Sequence, residues 1–295
     1  MTTHEFGEQH THGLHLDLLA NEARVLERRR ALRLILAGGT TALMAACGGG
    51  TSSSDANSTT GSTSGTGATG GSSSGACLAD PTETNGPYPS DGSNTVNGAV
   101  SNVLTESGIV RSDITGSFGA LTGTAPGVPL ALTFNLFNSN DNCSVLADYA
   151  IYIWHCTRDG LYSLYSAGAQ DQNFLRGVQV TDASGQVTFT TIFPGCYSGR
   201  YPHIHFEVYP SLAMATNYSN RTLVSQLAMP ADICSTIYAG ATGYAGSSGN
   251  FASISVASDN VFSDNTAAQI AQQTPSLSGS IDAGYSGTIL IGVPA

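Results

Sequence analysis

Short runs in which apolar and polar side chains alternate, broken by turn residues and never replaced by a long helical period, recur from residue 77 to the end of this chain. Successive side chains on a strand leave opposite faces, so such runs bury one face against a partner layer and suit sheets. Residues 130–137 read as one strand, followed by a turn at 138–142; residues 149–155 read as another, closed by Arg158-Asp159-Gly160. The runs 177–181 and 186–190 flank Asp182-Ala183-Ser184-Gly185, a spacing that predicts a hairpin. Residues 203–209 and 287–293 supply further strands, while 224–227 and 232–238 read as short helices or turns. No internal repeat is visible. The expected architecture is all-β, a sandwich or barrel with long loops and little helix.

Upstream the pattern stops. Residues 47–76 are almost entirely Gly, Ser, Thr and Ala, a composition that cannot bury a core and behaves as a flexible linker. The folded domain is therefore expected over 77–295. Before the linker, residues 1–46 place Glu27-Arg28-Arg29-Arg30 ahead of an apolar run at 34–46. At about 13 residues that run is too short to span a bilayer as a stable helix. Paired arginines before a weakly apolar run resemble a twin-arginine export signal. That route carries folded proteins. Met44-Ala45-Ala46-Cys47 resembles a bacterial lipobox, so a lipoprotein tethered to a membrane through Cys47, in the periplasm or at the cell surface, is the expectation. A plain secretory signal peptide is the alternative. His4, His10, His12 and His15 would leave with the signal.

Composition narrows the partners. Charged residues make up 11% of the chain, Lys is absent, and the formal net charge is −11. Five Arg precede Cys47 and five follow it (Arg111, Arg158, Arg176, Arg200, Arg221), so the domain carries the acidic excess. An acidic surface without basic clusters argues against nucleic acid or anionic lipid as partners. A Gly-rich, charge-poor profile suits a secreted all-β protein better than a cytosolic helical one.

Only His155, His203 and His205 remain in the domain. His203 and His205 are two apart on a strand, so both imidazoles leave the same face. A turn-rich loop at 193–202 carries Tyr197 and Arg200 towards that strand, and the end of the strand at 149–155 turns to present Tyr162. Two phenolates and two imidazoles form an N₂O₂ donor set, whose hard anionic oxygens favour ferric over ferrous iron. A trivalent cation would also draw the phenol protons off near neutral pH, as metals do for bound water and thiols. Against this, most of the twelve Tyr in such a chain serve as core or loop aromatics.

Four spaced motifs carry a resemblance. Trp154-His155-Cys156 with Gly160-Leu161-Tyr162-Ser163, then Phe174-Leu175-Arg176-Gly177, then Pro194-Gly195-Cys196-Tyr197-Ser198-Gly199-Arg200, then His203-Ile204-His205-Phe206, resemble the intradiol ring-cleavage dioxygenase family, in particular its exported protocatechuate-3,4-dioxygenase-β-like members. Glu83-Thr84-Asn85-Gly86-Pro87-Tyr88 and Arg111-Ser112-Asp113-Ile114 resemble the same family's opening segments. The resemblance covers about residues 77–291. It implies a β-sandwich of the intradiol type and non-haem Fe(III) held by Tyr162 and His205 as equatorial ligands and by Tyr197 and His203 as axial ones. It implies a small aromatic diol and O₂ as reactants, with the ring opened between its two hydroxylated carbons to a muconate-type diacid. Tyr197 would act as the base, Arg200 as the cation beside the bound ring, and Pro87, Tyr88 and Gln226 as the substrate contacts. His155 belongs to the structural Trp-His pair and is expected in the core.

The chain also departs from that family. Cys196 stands where relatives carry Trp, and Cys234 is unusual too; the two are expected to pair as a disulfide, with Cys77, Cys143 and Cys156 making an odd count. The N-terminal helical dimerisation region of catechol 1,2-dioxygenases is missing. Few arginines mildly disfavour a carboxylated substrate, leaving catechol, hydroxyquinol and polyphenol-derived catechols open. Two other readings compete: a non-catalytic sandwich binding phenolics or iron outside the cytoplasm, and a structural or carbohydrate-binding sandwich.

Overall fold

The computed structural model describes residues 77–295; the segments expected as export signal (1–46) and linker (47–76), with Cys47 and the four upstream histidines, lie outside the described residues. The strands are β1 (Asp91–Val96), β2 (Ala99–Asn102), β3 (Pro129–Asn138), β4 (Ser144–Val145), β5 (Ala150–Trp154), β6 (Arg176–Val180), β7 (Gln186–Ile192), β8 (His203–Tyr209), β9 (Leu223–Ala228), β10 (Ser276–Ser280) and β11 (Gly284–Val293). Three short helices follow β8 in the chain: α1 (Ala231–Gly240), α2 (Ala245–Ala252) and α3 (Ala267–Gln273). No helix among the described residues is long and apolar enough to cross a membrane.

One sheet runs β10-β11-β3, with β7 and the short β4 sharing the other edge of β3; the second runs β6-β5-β8-β9. Alternation decides what faces the gap between them. Leu130, Leu132, Phe134 and Leu136 of β3 point inward and meet Ile151, Ile153, Ile204, Phe206 and Val208 of the opposite sheet. Phe134 makes the join, edge-on to Phe189 of its own sheet at 5.8 Å and to Phe206 of the other at 6.0 Å. The expected all-β sandwich is the observed fold.

The second face of the β6-β5-β8-β9 sheet is buried as well. Tyr152, Trp154 and Tyr209 project there and pack with Val103, Leu104 and Ile109 from the N-terminal arm of the domain. A β1–β2 hairpin lies in that arm. This covered outer face, not the sandwich core, carries the polar cluster described below.

Three sequence expectations fail. The turn at 182–185 is tight, with Gly185 N–H donating to Asp182 at 2.9 Å and Asp182 N–H to Gln186 at 3.0 Å. Yet β6 pairs with β5 and β7 with β3, so the link crosses between sheets and is no hairpin. Both runs alternate, and the seven-residue register of β7 against β3 wins over local pairing. Residues 224–227 lie in β9, paired with β8 from His203 opposite Ala228 to Val208 opposite Leu223. All six β9 residues are buried, and a strand covered on both faces loses the alternation that separates it from a helix. Residues 232–238 do lie in a helix, α1. Finally, Cys196 and Cys234 are not bridged: the disulfide joins Cys77 to Cys143, and Cys156, Cys196 and Cys234 are free and buried. The Cys196 thiol donates to the Arg200 carbonyl at 3.5 Å, and Cys234 packs in the sandwich core. Both pack as small apolar side chains in the sandwich core, and burial raises the thiols, Cys196 to about 12 and Cys234 well above its usual value.

Candidate metal centre

Every residue of β8 is buried, yet its two faces differ in kind. Ile204, Phe206 and Val208 enter the sandwich core; His203, His205, Glu207 and Tyr209 take the outer face by the period of two. Trp154, opposite His205 in register on β5, stacks on its imidazole with ring centres 4.8 Å apart and planes 4° apart.

Two loops bring tyrosines to these histidines. Thr157 joins the loops: its carbonyl accepts from Gly160 at 2.9 Å and from Gly195 at 3.1 Å. Gly160 adopts φ +82°, and a Cβ there would meet Tyr197 Cβ at 2.9 Å, so the close approach of the loops requires glycine. Beyond Gly160 the chain delivers Tyr162, whose N–H donates to Ser166 Oγ at 2.9 Å. The Tyr197 loop is fixed from the other side by α2, where Ser247 Oγ accepts from Cys196 N–H at 2.9 Å and Asn250 Nδ2 donates to the Cys196 carbonyl at 2.8 Å.

The four predicted donor atoms converge. His203 Nε2 lies 3.2 Å from Tyr162 Oη, 3.3 Å from Tyr197 Oη and 3.1 Å from His205 Nε2. His203 Nδ1 is 2.6 Å from the Tyr201 carbonyl; that carbonyl only accepts, so Nδ1 carries the proton and Nε2 presents a lone pair to the cluster. Burial, then the Arg200 charge, pulls the His203 pKa down to about 3, and burial with the neighbouring His203 takes His205 well below its usual value. Both imidazoles are therefore neutral at physiological pH. One lone pair serves one good hydrogen bond, whereas three neighbours crowd His203 Nε2; a shared cation bound by all four atoms satisfies the arrangement better. Two neutral imidazoles and two phenols fit a ferric ion. Among the described residues no three His, Cys, Asp or Glu side chains gather as a metal site, so a cation held here would need the phenols as donors.

Around the cluster, Arg200 is 2% exposed and donates Nε to Asp259 Oδ2 at 3.0 Å and Nη2 to Gln226 Oε1 at 2.6 Å. Burial alone would raise the Asp259 carboxyl, but Arg200 and the Tyr201 N–H outweigh it and hold it below its usual value. Gln226 in turn donates to the Thr84 carbonyl at 2.8 Å. The Tyr88 ring stands 4.9 Å from that of Tyr162; Pro87 precedes it, its carbonyl accepting from Asn94 Nδ2 at 2.7 Å. His155 is buried away from the cluster's hydrogen bonds, held by Thr191 Oγ1 at 2.7 Å and the Cys156 carbonyl at 2.8 Å, with burial lowering its pKa to about 4.

Two supporting residues are given no role by the sequence, although Arg176 stands in one of its motifs. Asp259 sits in a polar loop that names no role; only the need of a buried Arg200 for an acid would have pointed to some such partner. Arg176 is fully buried and donates all five of its hydrogens, Nε to Ser163 Oγ, Nη1 to the Pro89 carbonyl and Tyr152 Oη, and Nη2 to the Tyr88 and Ser163 carbonyls. It thereby ties the residue after Tyr162 to the segment carrying Tyr88.

Residues 112–235 match the family model Dioxygenase_C, described as dioxygenase. No curated protein matches the chain. Among solved structures, an intradiol ring-cleavage dioxygenase from Tetranychus urticae superposes with a TM-score of 0.56 at 24% identity, over 74% of this chain and 96% of that one. The dioxygenase domain of a dioxygenase–carbohydrate-binding fusion from Streptomyces sp. SirexAA-E gives 0.42 at 21% identity, over 73% and 99%. Catechol 1,2-dioxygenase from Pseudomonas arvilla C-1 gives 0.43 at 18%, over 72% and 62%. Likeness at the level of the first of these establishes the fold.

Proposed function

We propose, from the premise that this chain belongs through residues 112–235 to the dioxygenase family and has the intradiol ring-cleavage fold, that it is an Fe(III)-dependent enzyme opening a catechol-type ring between its two hydroxylated carbons with O₂. The observation that carries the reading is the meeting of two phenol oxygens and two neutral imidazoles at one buried point.

Tyr162, Tyr197, His203 and His205 would hold the ion, which when bound supplies the Lewis acidity that lets a catechol bind as a dianion and leaves its ring electron-rich towards O₂. Tyr197 is half-buried whereas Tyr162 is 2% exposed, so Tyr197 is the phenol that an incoming diol can reach, and its Oη would take the diol's proton. Neutral His203 and His205 neither compete for that proton nor repel the metal. Arg200, oriented by Asp259 and Gln226, places a fixed positive charge where negative charge develops on the ring. Tyr88 would wall the ring and exclude water. Over the whole reaction one ring carbon–carbon bond breaks and both atoms of O₂ end in the two carboxyl groups of a muconate-type product.

Oxygen uptake by iron-loaded protein over a panel of catechols tests this. The expected result is uptake, a red-brown chromophore from tyrosinate-to-iron charge transfer, and loss of both in Tyr162→Phe and Tyr197→Phe. A coloured protein whose spectrum shifts with catechol but which consumes no oxygen would establish the binding-protein alternative instead. We also propose export by the twin-arginine route with lipidation at Cys47. The arginine pair and lipobox-like residues support it, as does the Cys77–Cys143 disulfide, which suits an oxidising compartment.

A further inference from the structure

A groove of about 430 Å³ opens between the turn of the β1–β2 hairpin and the loop after Tyr162, lined by Asn97, Ser101, Leu164, Tyr165, Gln170 and Asp171 among others. Its volume falls in the range of small-molecule sites. Nothing in the proposed ring chemistry uses it, but it is joined to the metal cluster by a short row of rings. Tyr162 faces Tyr88 at 4.9 Å, and Tyr88 faces Tyr165 at 5.1 Å. A single aromatic side chain, Tyr88, thus stands between the candidate centre and the groove wall.

The wall is set in advance. Leu164 has φ +72°, a left-handed conformation that a bulky residue adopts only when its surroundings enforce it. Leu164 is one of the two residues, with Ser163, between Tyr162, which turns to the metal cluster, and Tyr165, which turns to the groove. Tyr165 Oη donates to Asn94 Oδ1 at 2.9 Å, and the Arg176 guanidinium lies over its ring at 5.4 Å. The ring therefore keeps its place without a ligand. The lining offers amide and hydroxyl groups from Asn97, Ser101 and Gln170, and its only formal charge is Asp171. No Arg lines the groove and the chain has no Lys; Arg176, behind the Tyr165 ring, has all its hydrogens engaged, so an anionic group entering the groove would face a carboxylate with no free cationic donor to offset it.

We infer that this groove is a substrate subsite, and that the substrates are catechols bearing an uncharged, hydroxylated extension about the size of a second ring or a sugar. The inference rests on the proposed ring-opening activity but is separable from it in experiment. Oxygen uptake by the iron-loaded protein is compared for catechol, for a catechol linked to a glucosyl group, and for one with a carboxylate-bearing extension of similar length. Gln170→Trp, which fills the groove from an exposed position, should lower kcat/KM for the glucosyl substrate relative to catechol by about tenfold. Asp171→Arg should move preference towards the carboxylate-bearing compound. A merely structural effect would change all three substrates alike. Calorimetric titration of the protein with phenyl glucoside against phenol reads the groove without turnover; tighter binding of the glucoside, lost in Gln170→Trp, is the expected result. Equal affinities, or unchanged substrate ratios in both variants, overturn the subsite. Absence of uptake with every catechol would overturn the activity and leave the titration to decide the groove.

Discussion

Trp154 holds His205 by its face alone, since His205 Nδ1 is buried without a hydrogen-bond partner among the described residues. Metal-binding histidines are usually oriented by a hydrogen bond from the second nitrogen; here packing performs that task. Trp154→Leu should therefore weaken iron binding by about 10–100-fold, the range seen when an orienting partner is lost, measured by competition with a chelator. His203, fixed by the Tyr201 carbonyl, provides the contrast. The charge beside the site depends on another single residue. Asp259→Ala would leave Arg200 buried without its acid and should cost about 3–5 kcal/mol, read as a fall in the denaturation midpoint. At this scale the His203 and His205 pair was legible because two positions on a strand share a face whatever the fold. Tyr162 and Tyr197 emerged from motif context. Asp259 did not, and Arg176 appeared in a motif without a role, because a buried charge takes its partners from whatever the tertiary fold brings near.

Loops, more than strands, locate the two phenols, and their contact tolerates little change. In Gly160→Ala the new methyl would press on Tyr197 Cβ from a backbone at φ +82°, so destabilisation of about 1 kcal/mol or more is expected. The informative readout is the iron chromophore, which should lose intensity or shift if Tyr197 is displaced, while oxygen uptake falls. The elements misread from sequence explain what such reasoning detects. Alternation revealed β3, β5, β7, β8 and β11 but not which strand pairs with which, so the 182–185 turn passed for a hairpin. β9, covered on both faces, showed no alternation at all. The short helix α2, Gly- and Ser-rich, has no sequence signature of a helix, yet Ser247 and Asn250 of that helix anchor the Tyr197 loop.

Over the whole domain, the N-terminal segment is fastened at two points. The Cys77–Cys143 disulfide spans 66 residues of sequence, and closing a loop of that length contributes about 4 kcal/mol by the chain-entropy relation; reduction should lower the melting temperature accordingly. Next to it, Asp80 Oδ2 accepts from Gly292 N–H and Gln272 Nε2, both at 2.7 Å, and burial raises its carboxyl to about 7. A carboxyl raised on folding favours the folded state when protonated. Its contribution is fully present below the unfolded value near 4 and is lost as pH rises towards 7. Asp80→Asn should therefore melt higher than the parent protein at pH 8 and match it more nearly at pH 4. β11, the last of the described strands, is an inner one: it lies between β10 and β3 and runs parallel to β3 from Tyr285 opposite Leu130 to Val293 opposite Asn138. During synthesis β3 emerges long before the neighbour that will cover its edge, so the nascent chain carries an open, apolar sheet margin until β11 has followed it. A chain stopped at residue 283 should accumulate as aggregate, because it lacks β11 and leaves that margin of β3 open.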